Sequence, residues 1–501
     1  MDHEQTNSPG QRRRDVLTAL GAAGVAAAGL GAPGPLSAQT TNPGGFASYV
    51  PFAMPSRAQL AGSAKKVFAH WHNFPISIDN LPADQDYYAH NYLRPEGEQG
   101  KFAAAGGFIR ERPLPRPVRA GSDWQLADMV DDIGSLDVIG GDAFQMNILD
   151  LAASGRFWRF FTRMLDASVK VGGVVKAFPC LDFAGPIVNE TNASIAGALG
   201  SIASHPGLYR SGGQMVLSAF SAENFPAERW RDLLQTLSSQ GHAAFFFPIF
   251  QNLARTTAEH IALARMVMGW GAGEDQLPSL LVRERNSHGL GKRWCQSVWP
   301  QTFRPKSGWY EEASNSKTFR DGWTQAIRSG ADAVDLVTWN DYSEATEIRP
   351  STGAQFAFHD LAAYYISWFK MGTPPPIVRD VIYYFHRVQP AGAPGFGNKQ
   401  SKPFVLKGSV ATDNEVEALA FLTSPGRVSI QTSRGTVHVD APAGITSVRA
   451  PLAPGAPAFR LDRGGKNVLS FSSAFSVQTS APYEDLLYRG GSSSRAPFAP
   501  A

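Results

Sequence analysis

Cysteine is scarce in this chain: only Cys180 and Cys295 occur among its 501 residues. Two cysteines exclude a disulfide framework, because such frameworks link several pairs within a short chain. One bridge between the two residues stays open, although folding in a reducing compartment would favour two free buried thiols. A chain of this length has room for one large domain and a smaller one.

A strong net charge and long apolar runs are also missing. The formal net charge is only +3, so nothing in the composition argues for a nucleic-acid partner. No segment beyond the N-terminal region is apolar for long enough to cross a bilayer, which predicts a soluble mature protein without membrane association. We expect a monomer that needs no cofactor.

The N-terminal residues 1–38 have the features of an export signal. Arg12, Arg13 and Arg14 precede a weakly apolar run over 20–30, and Ser37 with Ala38 offers a small-residue cleavage site. A twin arginine ahead of a mild hydrophobic stretch is typical of the bacterial route that exports folded proteins. We therefore expect a periplasmic or secreted protein, with a basic tail or a single membrane anchor as alternatives. Residues 39–64 are predicted as a flexible leader.

The body of the chain alternates short apolar runs with amphipathic segments. The predicted strands are Lys66–His70, Gly141–Leu149, Val174–Leu181, Gln214–Phe220, Ala243–Phe250, Ser279–Val282, Arg293–Val298 and Ala333–Trp339. The predicted helices between them are Trp124–Ile133, Phe157–Val169, Ala227–Ser239, Thr256–Trp270 and Phe319–Ser329. Such alternation indicates a parallel sheet buried on both faces.

Eight such units predict a (β/α)8 TIM barrel over residues 65–388. A doubly wound open sheet is the alternative, but no glycine-rich phosphate loop follows any early strand. A long insertion over 73–121 follows the first strand, either as a lid that reshapes the cleft or as a surface loop.

A second region follows a Pro/Gly-rich linker at 389–402. Residues 403–480 alternate apolar and polar residues with period two, which predicts a small all-β sandwich. It either has a binding role of its own or packs against the barrel, and the lack of a planar stripe of exposed Trp or Tyr favours packing. Residues 481–501 are predicted as a disordered tail.

The stretch Val337–Glu347 (VTWNDYSEATE) combines two carboxylates, an amide and two aromatic rings at the end of an apolar strand. Carbohydrate sites need that mixture. Aromatic faces stack on sugar rings, amides bond hydroxyl groups, and paired carboxylates act as acid and base. A capped loop with ordinary surface acids is the alternative.

Chemistry in a barrel takes place at the carboxyl ends of the strands. For any single acid there, a helix cap or a salt bridge is the commoner role, but several acids at one mouth favour a site. The candidates at these positions are His70, Trp71, Asn147, Asp182, Glu223, Trp299, Trp339, Asn340, Asp341, Tyr342 and Glu344.

These candidates divide by chemistry. Trp71, Trp299, Trp339 and Tyr342 are candidate stacking platforms, although any Trp is more often part of a core. The polar side chains that can bind substrate are His70, Asn147, Glu223 and Asn340.

Several of these segments resemble glycoside hydrolase family 71, the endo-1,3-α-glucanases or mutanases. Val337–Glu344 resembles the family signature, and Val67–Trp71 and Gly141–Asn147 resemble its first two strands. Asp182 stands where the family has an acid after Ser-Phe, and Phe220–Glu223 is similar to its Phe-Ala-Gly-Glu. The resemblance covers about residues 65–390.

The resemblance implies a barrel enzyme that needs no metal and hydrolyses α-1,3-glucan with inversion, with Asp182, Asp341 and Glu344 as its catalytic-site carboxylates. We expect Glu344 to act as the general acid and Asp341 as the general base, with Asp182 tuning or sharing the base role. The chain departs from the family at Ser343, where the family has Gly, and at Ala345–Glu347, where it has Ser-His-Tyr.

Two other readings stay open. Glu344–Pro350 is faintly similar to the motif of an endo-α-mannosidase barrel, which would call for activity on mannosides. A non-catalytic protein that binds polysaccharide on the same fold is the third.

Overall fold

The computed structural model describes residues 43–72, 79–271, 273–393 and 399–498. The predicted export signal lies outside these ranges. Within them, no helix has the length and the apolar composition needed to cross a membrane.

The larger part of the chain alternates strands with helices, as expected. Its strands are β1 (Lys66–Trp71), β2 (Ala143–Ile148), β3 (Lys176–Asp182), β4 (Arg210–Ser211), β5 (Gln214–Phe220), β6 (Ala244–Phe250), β7 (Met266–Gly269), β8 (Arg293–Val298), β9 (Thr302–Arg304), β10 (Trp309–Glu311) and β11 (Ala333–Leu336). Its helices are α1 (Pro43–Ala47), α2 (Arg57–Gly62), α3 (Tyr87–Asn91), α4 (Trp124–Val138), α5 (Arg156–Lys170), α6 (Asn192–Ile202), α7 (Ala227–Ser239), α8 (Ala258–Leu263), α9 (Leu277–Gly289), α10 (Lys317–Ser329) and α11 (Ala357–Met371).

Eight of the strands close into one parallel barrel. They follow each other around it as β1, β2, β3, β5, β6, β7, β8 and β11, and β11 pairs with β1 to close the ring. The predicted (β/α)8 barrel is confirmed, and the open doubly wound sheet is excluded. The barrel brings the carboxyl ends of all eight strands to one mouth.

Strand alternation decides which side chains face the barrel axis. Phe68, Cys180 and Cys295 belong to the cluster inside the barrel, whereas Val67 and Trp71 lie in the layer between strands and helices. Successive residues of a strand point to opposite faces, so neighbours such as His70 and Trp71 cannot both face the axis. Both cysteines are free and buried.

Helix α5 illustrates how the outer layer covers the strands. Phe160, Phe161, Met164 and Leu165 recur at helical spacing and are almost fully buried. Burying each such side chain contributes roughly 1.5–3 kcal/mol. The helix ends before Gly172, whose φ of +87° favours a residue without a side chain.

The sixth barrel unit differs from the prediction. Ser279–Val282, predicted as the sixth strand, lies inside α9, and the true sixth strand is β7. β7 falls within residues 256–270, which were predicted as one helix but form only the short α8 before it. The eighth strand, β11, also ends earlier than predicted: it stops at Leu336 instead of Trp339.

The described part of the predicted leader, residues 43–64, is packed rather than flexible. Phe46, Val50 and Phe52 belong to the main core of the barrel, and Leu60 is buried. The segment is rich in glycine and proline, so the few apolar residues that anchor it form no recognisable pattern in the sequence.

The C-terminal region forms the predicted all-β unit. Its strands are β12 (Val381–His386), β13 (Val405–Lys407), β14 (Glu415–Leu422), β15 (Gly426–Thr432), β16 (Gly435–Ala441), β17 (Gly444–Pro451), β18 (Ala458–Arg463), β19 (Lys466–Ser472) and β20 (Arg489–Ser492). Two four-stranded sheets, β17-β14-β12-β20 and β16-β15-β18-β19, enclose a core that includes Ile382, Tyr384 and Phe459.

The edges of this unit differ from the predicted ones. β12, predicted as the end of the barrel domain, is a central strand of the sandwich. β20 lies in residues 481–501, predicted as a disordered tail, and it pairs with β12. The described part of the predicted linker at 389–402 includes Gln389 and Gln400, both of which are buried.

Candidate active site

The carboxyl ends of β2 and β3 bring an amide and a carboxylate together. Asn147 Nδ2 donates a hydrogen bond of 3.0 Å to Asp182 Oδ2. Asp182 Oδ1 accepts the backbone N–H of Ala184 at 2.9 Å. Asp182 keeps 9% of its surface exposed, so the pair reaches the barrel mouth.

The loop after β11 folds around Asp341. Its Oδ1 accepts hydrogen bonds from the Ser343 backbone N–H at 3.1 Å, the Ser343 hydroxyl at 2.7 Å and the Glu344 backbone N–H at 3.2 Å. Its Oδ2 faces His72 Nε2 at 3.9 Å. Three donors on one oxygen hold the carboxylate in a single orientation and leave the other oxygen directed towards the histidine.

Glu344 lies beside two cations from the segment after β8. Arg304 Nη1 is 2.9 Å from Glu344 Oε2, and Lys306 Nζ is 3.7 Å from Oε1. Lys306 also donates to the Ser343 hydroxyl at 3.1 Å. The backbone of Phe303 donates to the Glu344 carbonyl at 2.9 Å, so β9 holds this loop at both backbone and side chain.

The two carboxyl groups of this loop have opposite pKa shifts. Burial, followed by the negative charge of Asp341, raises the pKa of Glu344 to about 7 against the opposing charges of Arg304 and Lys306. Burial also acts to raise the pKa of Asp341, but His72, Lys306 and the Ser343 hydroxyl outweigh it, so that pKa lies below its ordinary value. One group holds a proton near neutral pH while its neighbour stays ionised, as general acid–base chemistry requires.

Two histidines lie between the carboxylates. Burial lowers the pKa of His70 and of His72 to about 4, although Asp182 and Asp341 both act in the opposite direction. Their rings are 5.0 Å apart between centroids. Both are therefore neutral near pH 7 and can exchange hydrogen bonds with uncharged groups such as sugar hydroxyls.

Beneath them, inside the barrel, lies Asp335. Its Oδ2 is 3.7 Å from His70 Nδ1, and the residue is completely buried. Burial raises the pKa of Asp335 well above its ordinary range. Burial thus favours the uncharged form of this carboxyl group beneath the mouth.

Three of the predicted stacking residues pack in the core. Trp71 is buried with Nε1 donating to Asp132 Oδ2 at 3.1 Å, because His70 takes the inward position on β1. Trp339 meets Phe144 edge to face in the helix layer. Tyr342 is buried under the insertion. None of the three offers an open ring face for a sugar.

Trp299 is the fourth predicted platform. It is only 4% exposed and belongs to the cluster inside the barrel, together with Cys295 and Val337. Its ring therefore packs against other side chains inside the barrel.

The side chains of Asn340 and Glu223 form hydrogen bonds with backbone groups of neighbouring loops. Asn340 Oδ1 accepts the His72 N–H at 2.8 Å, and its Nδ2 donates to the His72 carbonyl at 2.9 Å. Glu223 accepts the backbone N–H groups of Gln251 at 3.2 Å and Asn252 at 2.7 Å. Both side chains fix the loops of the mouth through these hydrogen bonds.

Sequence reasoning missed three residues of this site: His72, Arg304 and Lys306. His72 stands two residues after His70, so strand alternation would have placed it on the same side. Arg304 and Lys306 follow β8, whose end opens into the same mouth. Arg304 and Lys306 belong to no recognisable motif, and isolated basic residues in a loop are usually solvated.

Within the described ranges, no group of three or more His, Cys, Asp or Glu side chains is placed to hold a metal ion. The mouth combines carboxyl groups, two neutral histidines and two cations.

Comparisons with known proteins agree with this chemistry. The sequence model described as glycosyl hydrolase family 71 matches residues 118–487. A mutanase of Penicillium rubens is 26% identical over 387 residues, which cover 72% of this chain and 83% of that protein. The glucan endo-1,3-alpha-glucosidase agn1 of Schizosaccharomyces pombe is 22% identical over 402 residues, which cover 74% and 90%.

Solved structures are more distant. The GH99 endo-alpha-mannosidase from Bacteroides thetaiotaomicron has 13% sequence identity and a TM-score of 0.48, with 61% of this chain and 97% of that chain covered.

Proposed function

The chain belongs to glycosyl hydrolase family 71, as the motif after the eighth strand indicated, and we propose that it hydrolyses α-1,3-glucosidic bonds in a polysaccharide. Membership of the family makes the protein a glycoside hydrolase. What we propose is its substrate. That substrate is inferred from the two relatives, one a mutanase and the other a glucan endo-1,3-alpha-glucosidase.

The observation that carries the proposal is the pair formed by Glu344 and Asp341. They lie in one loop at the barrel mouth, and their pKa values are shifted in opposite directions. An inverting glycosidase needs one protonated and one ionised carboxyl group at the same bond.

Glu344 is proposed as the general acid. It gives its proton to the glycosidic oxygen as the bond from that oxygen to the anomeric carbon breaks, so that the leaving sugar departs as an alcohol. Arg304, 2.9 Å away, then stabilises the carboxylate that remains.

Asp341 is proposed as the general base. It takes a proton from a water molecule whose oxygen forms the new bond to the anomeric carbon from the opposite face, which inverts the configuration. Asp182, held by Asn147, is proposed to tune this step or to share the base role. His70 and Asn147 are proposed to bind sugar hydroxyls.

Two further properties belong to the proposal. Cleavage within the polysaccharide chain, rather than from its ends, is inferred from the relative named as an endo-glucosidase. Export before action is inferred from Arg12, Arg13 and the apolar run after them, since an insoluble polymer is reached only outside the cell.

The test is release of reducing ends from insoluble α-1,3-glucan by the purified mature protein and by Asp341→Asn and Glu344→Gln. Each variant is expected to lose at least about 100-fold in rate, because general acid–base groups typically contribute 10²–10⁴-fold. Glu96→Gln, which removes an exposed carboxylate of the insertion, is the matched control and keeps full activity.

Nuclear magnetic resonance of the first product tests the stereochemistry, and a β-anomer released from the α-linkage indicates inversion. The size distribution of early products separates internal cleavage from cleavage at chain ends. No sugar release by the unaltered protein contradicts α-1,3-glucan as the substrate, and α-mannan is then the next polymer to assay.

A further inference from the structure

Three ring-bearing side chains from well-separated strands meet at the barrel mouth. His70 lies near the end of β1, Phe220 ends β5, and Trp270 directly follows β7. The Trp270 ring centroid is 4.9 Å from that of His70 and 4.8 Å from that of Phe220. Because one or two other barrel strands separate each of these strands from the next, their side chains can meet only near the barrel axis.

Trp270 and Phe220 cover the barrel interior at the level where the strands end. Both rings pack against the buried cluster inside the barrel, and both are partly exposed. Because buried side chains such as Ile249 and Met268 fill the barrel beneath them, the exposed surface of the two rings faces the mouth. The two rings therefore form an apolar floor for any ligand that enters.

The Trp270 indole is covered only in part by its neighbours. The centroids of His70 and Phe220 are 6.5 Å apart, so as seen from Trp270 they lie at about a right angle and cannot cover its two opposite faces. Within the described ranges the indole N–H has no hydrogen-bond partner, and it is not buried as the unpartnered N–H groups of Trp323 and Trp339 are. Trp270 thus offers both ring surface and a donor at the mouth.

Carboxylates of the site lie on two sides of this floor. On one side, Asp182 of β3 is the register partner of Phe220. On the other side, His72 is 5.0 Å from His70 between ring centroids, and its Nε2 faces Asp341 Oδ2 at 3.9 Å. A sugar ring held between the two carboxylates therefore lies over the floor.

We infer that Trp270 is a substrate-binding residue, on which the sugar ring at the cleaved bond rests between Asp182 and Asp341. The indole packs against the apolar C–H face of the pyranose, and its N–H donates to a sugar hydroxyl. Phe220 extends the same apolar surface towards Asp182.

Trp270 takes the role that the sequence predicted for other aromatic rings. The sequence pattern places Trp270 at the end of a predicted helix, away from any strand end, so it was not among the candidate site residues. The inference rests on the proposed function, because it assigns Trp270 to the substrate of the Asp341 and Glu344 site. The predicted stacking residues are all buried: Trp71, Trp299, Trp339 and Tyr342.

The test compares Trp270→Ala and Trp270→Phe with Trp368→Ala. Trp368 lies on the outer helix α11, is also partly exposed, and likewise contacts two aromatic rings, those of Tyr364 and Tyr365. The three variants and the unaltered protein are assayed on α-1,3-glucan and, in parallel, on α-mannan. Melting temperatures show whether each variant is folded.

Trp270→Ala is expected to lower kcat/KM at least about 10-fold, because a large apolar contact with the sugar is lost. Trp270→Phe, which keeps a smaller ring without the N–H, should lose less. Trp368→Ala should stay within about two-fold of the unaltered kcat/KM, even if its melting temperature falls as far as that of Trp270→Ala.

Tryptophan fluorescence gives a readout that a merely structural role would not change. In an Asp341→Asn background, binding of an α-1,3-linked glucose oligomer should alter the tryptophan emission. Trp270→Phe should remove most of that change, whereas Trp368→Phe should leave it in place. Calorimetry in the same background should show about a 10-fold loss of affinity for the oligomer in Trp270→Ala.

A kcat/KM within two-fold of the unaltered value for folded Trp270→Ala overturns the inference, as does an equal loss in Trp368→Ala. If Trp270→Ala does not fold, an emission change that persists in Trp270→Phe overturns it. Turnover of α-mannan alone overturns the proposed substrate, and the Trp270 inference then stands or falls on whether the Trp270 variants lose that turnover. Turnover of neither polymer by the unaltered protein overturns both.

Discussion

Two opposing influences meet at the carboxyl group of Glu344. Burial and Asp341 raise its pKa to about 7, while Arg304 at 2.9 Å favours the ionised form. If Glu344 is the general acid, it must carry a proton, so kcat/KM falls as the pH rises through about 7. The acidic limb of the kcat/KM profile lies well below pH 7, because the pKa of Asp341 is below its ordinary value of 3.8.

Arg304→Met removes the cation nearest to Glu344 and should raise the pKa of that carboxyl further. The alkaline limb of kcat/KM is expected to move to higher pH by about one unit, a typical effect of a neighbouring opposite charge. Arg427→Met, which removes an exposed cation of the sandwich, should leave the limb in place. A limb that does not move in Arg304→Met contradicts Glu344 as the titrating acid.

Residue by residue, the sequence indicated the polar groups of the site better than the aromatic ones. Asp182, Asp341 and Asn147 do lie at the mouth, since the end of a barrel strand is a position that sequence can reveal. Trp71 and Trp339 do not line it, because a large ring gains more from burial than from an open cleft.

At the scale of one element, α3 depends on its cap. Asp86 Oδ1 accepts the backbone N–H groups of Tyr88 at 3.0 Å and Ala89 at 2.9 Å, and Oδ2 accepts that of Asp79 at 3.0 Å. Asp86→Ala should cost about 1 kcal/mol, as loss of a cap usually does. It should also lower kcat/KM several-fold, because Tyr88 of α3 packs on Tyr342, the neighbour of Asp341.

Ser56→Ala is the matched control for Asp86→Ala. Ser56 caps α2 in the same way, but α2 precedes β1 and so lies at the opposite end of the barrel from the mouth. A comparable loss of melting temperature with unchanged kcat/KM is expected. Equal kinetic losses in both variants would mean that α3 has no local role in catalysis, and hydrogen exchange of residues 87–92 would show whether α3 itself had loosened.

Elements with clear apolar periodicity were predicted well, and the sixth unit shows where periodicity fails. β7 has only four residues, and only Ala264 and Arg265 separate it from the short α8. Over such a length, helix and strand patterns cannot be told apart. The closed barrel makes this segment a strand, because the backbone groups at the edges of β6 and β8 each need a hydrogen-bonding partner.

At the scale of the whole molecule, barrel and sandwich share buried contacts. Glu417 on β14 is fully buried, and its oxygens accept bonds from Ser316 Oγ at 2.6 Å and Arg320 at 2.9 Å, both at the start of α10. Phe421 on β14 packs on Tyr364 of α11, with ring centroids 5.3 Å apart. The two units should therefore unfold together.

Glu417→Ala tests this coupling, because it leaves the buried Ser316 hydroxyl and the partly buried Arg320 without their shared acceptor. A loss of about 3 kcal/mol is expected, as for other broken buried pairs. Calorimetry should show one transition at a lower temperature, and activity should be lost at that same temperature. Arg427→Ala, on the exposed face of the sandwich, should change neither. Two separate transitions would contradict the shared core.

The sequence by itself determined the barrel, the following all-β unit, the family and the carboxylates at the strand ends. Each of these follows from local patterns: apolar periodicity, a change of period and a short motif next to a strand. Only the tertiary structure decided which of those residues meet. It buried all four of the predicted aromatic rings, paired β20 with the sandwich strand β12, brought Arg304 and Lys306 to Glu344, and set α3 beside the catalytic loop. These pairings depend on contacts between residues far apart in the chain, and no local pattern records them.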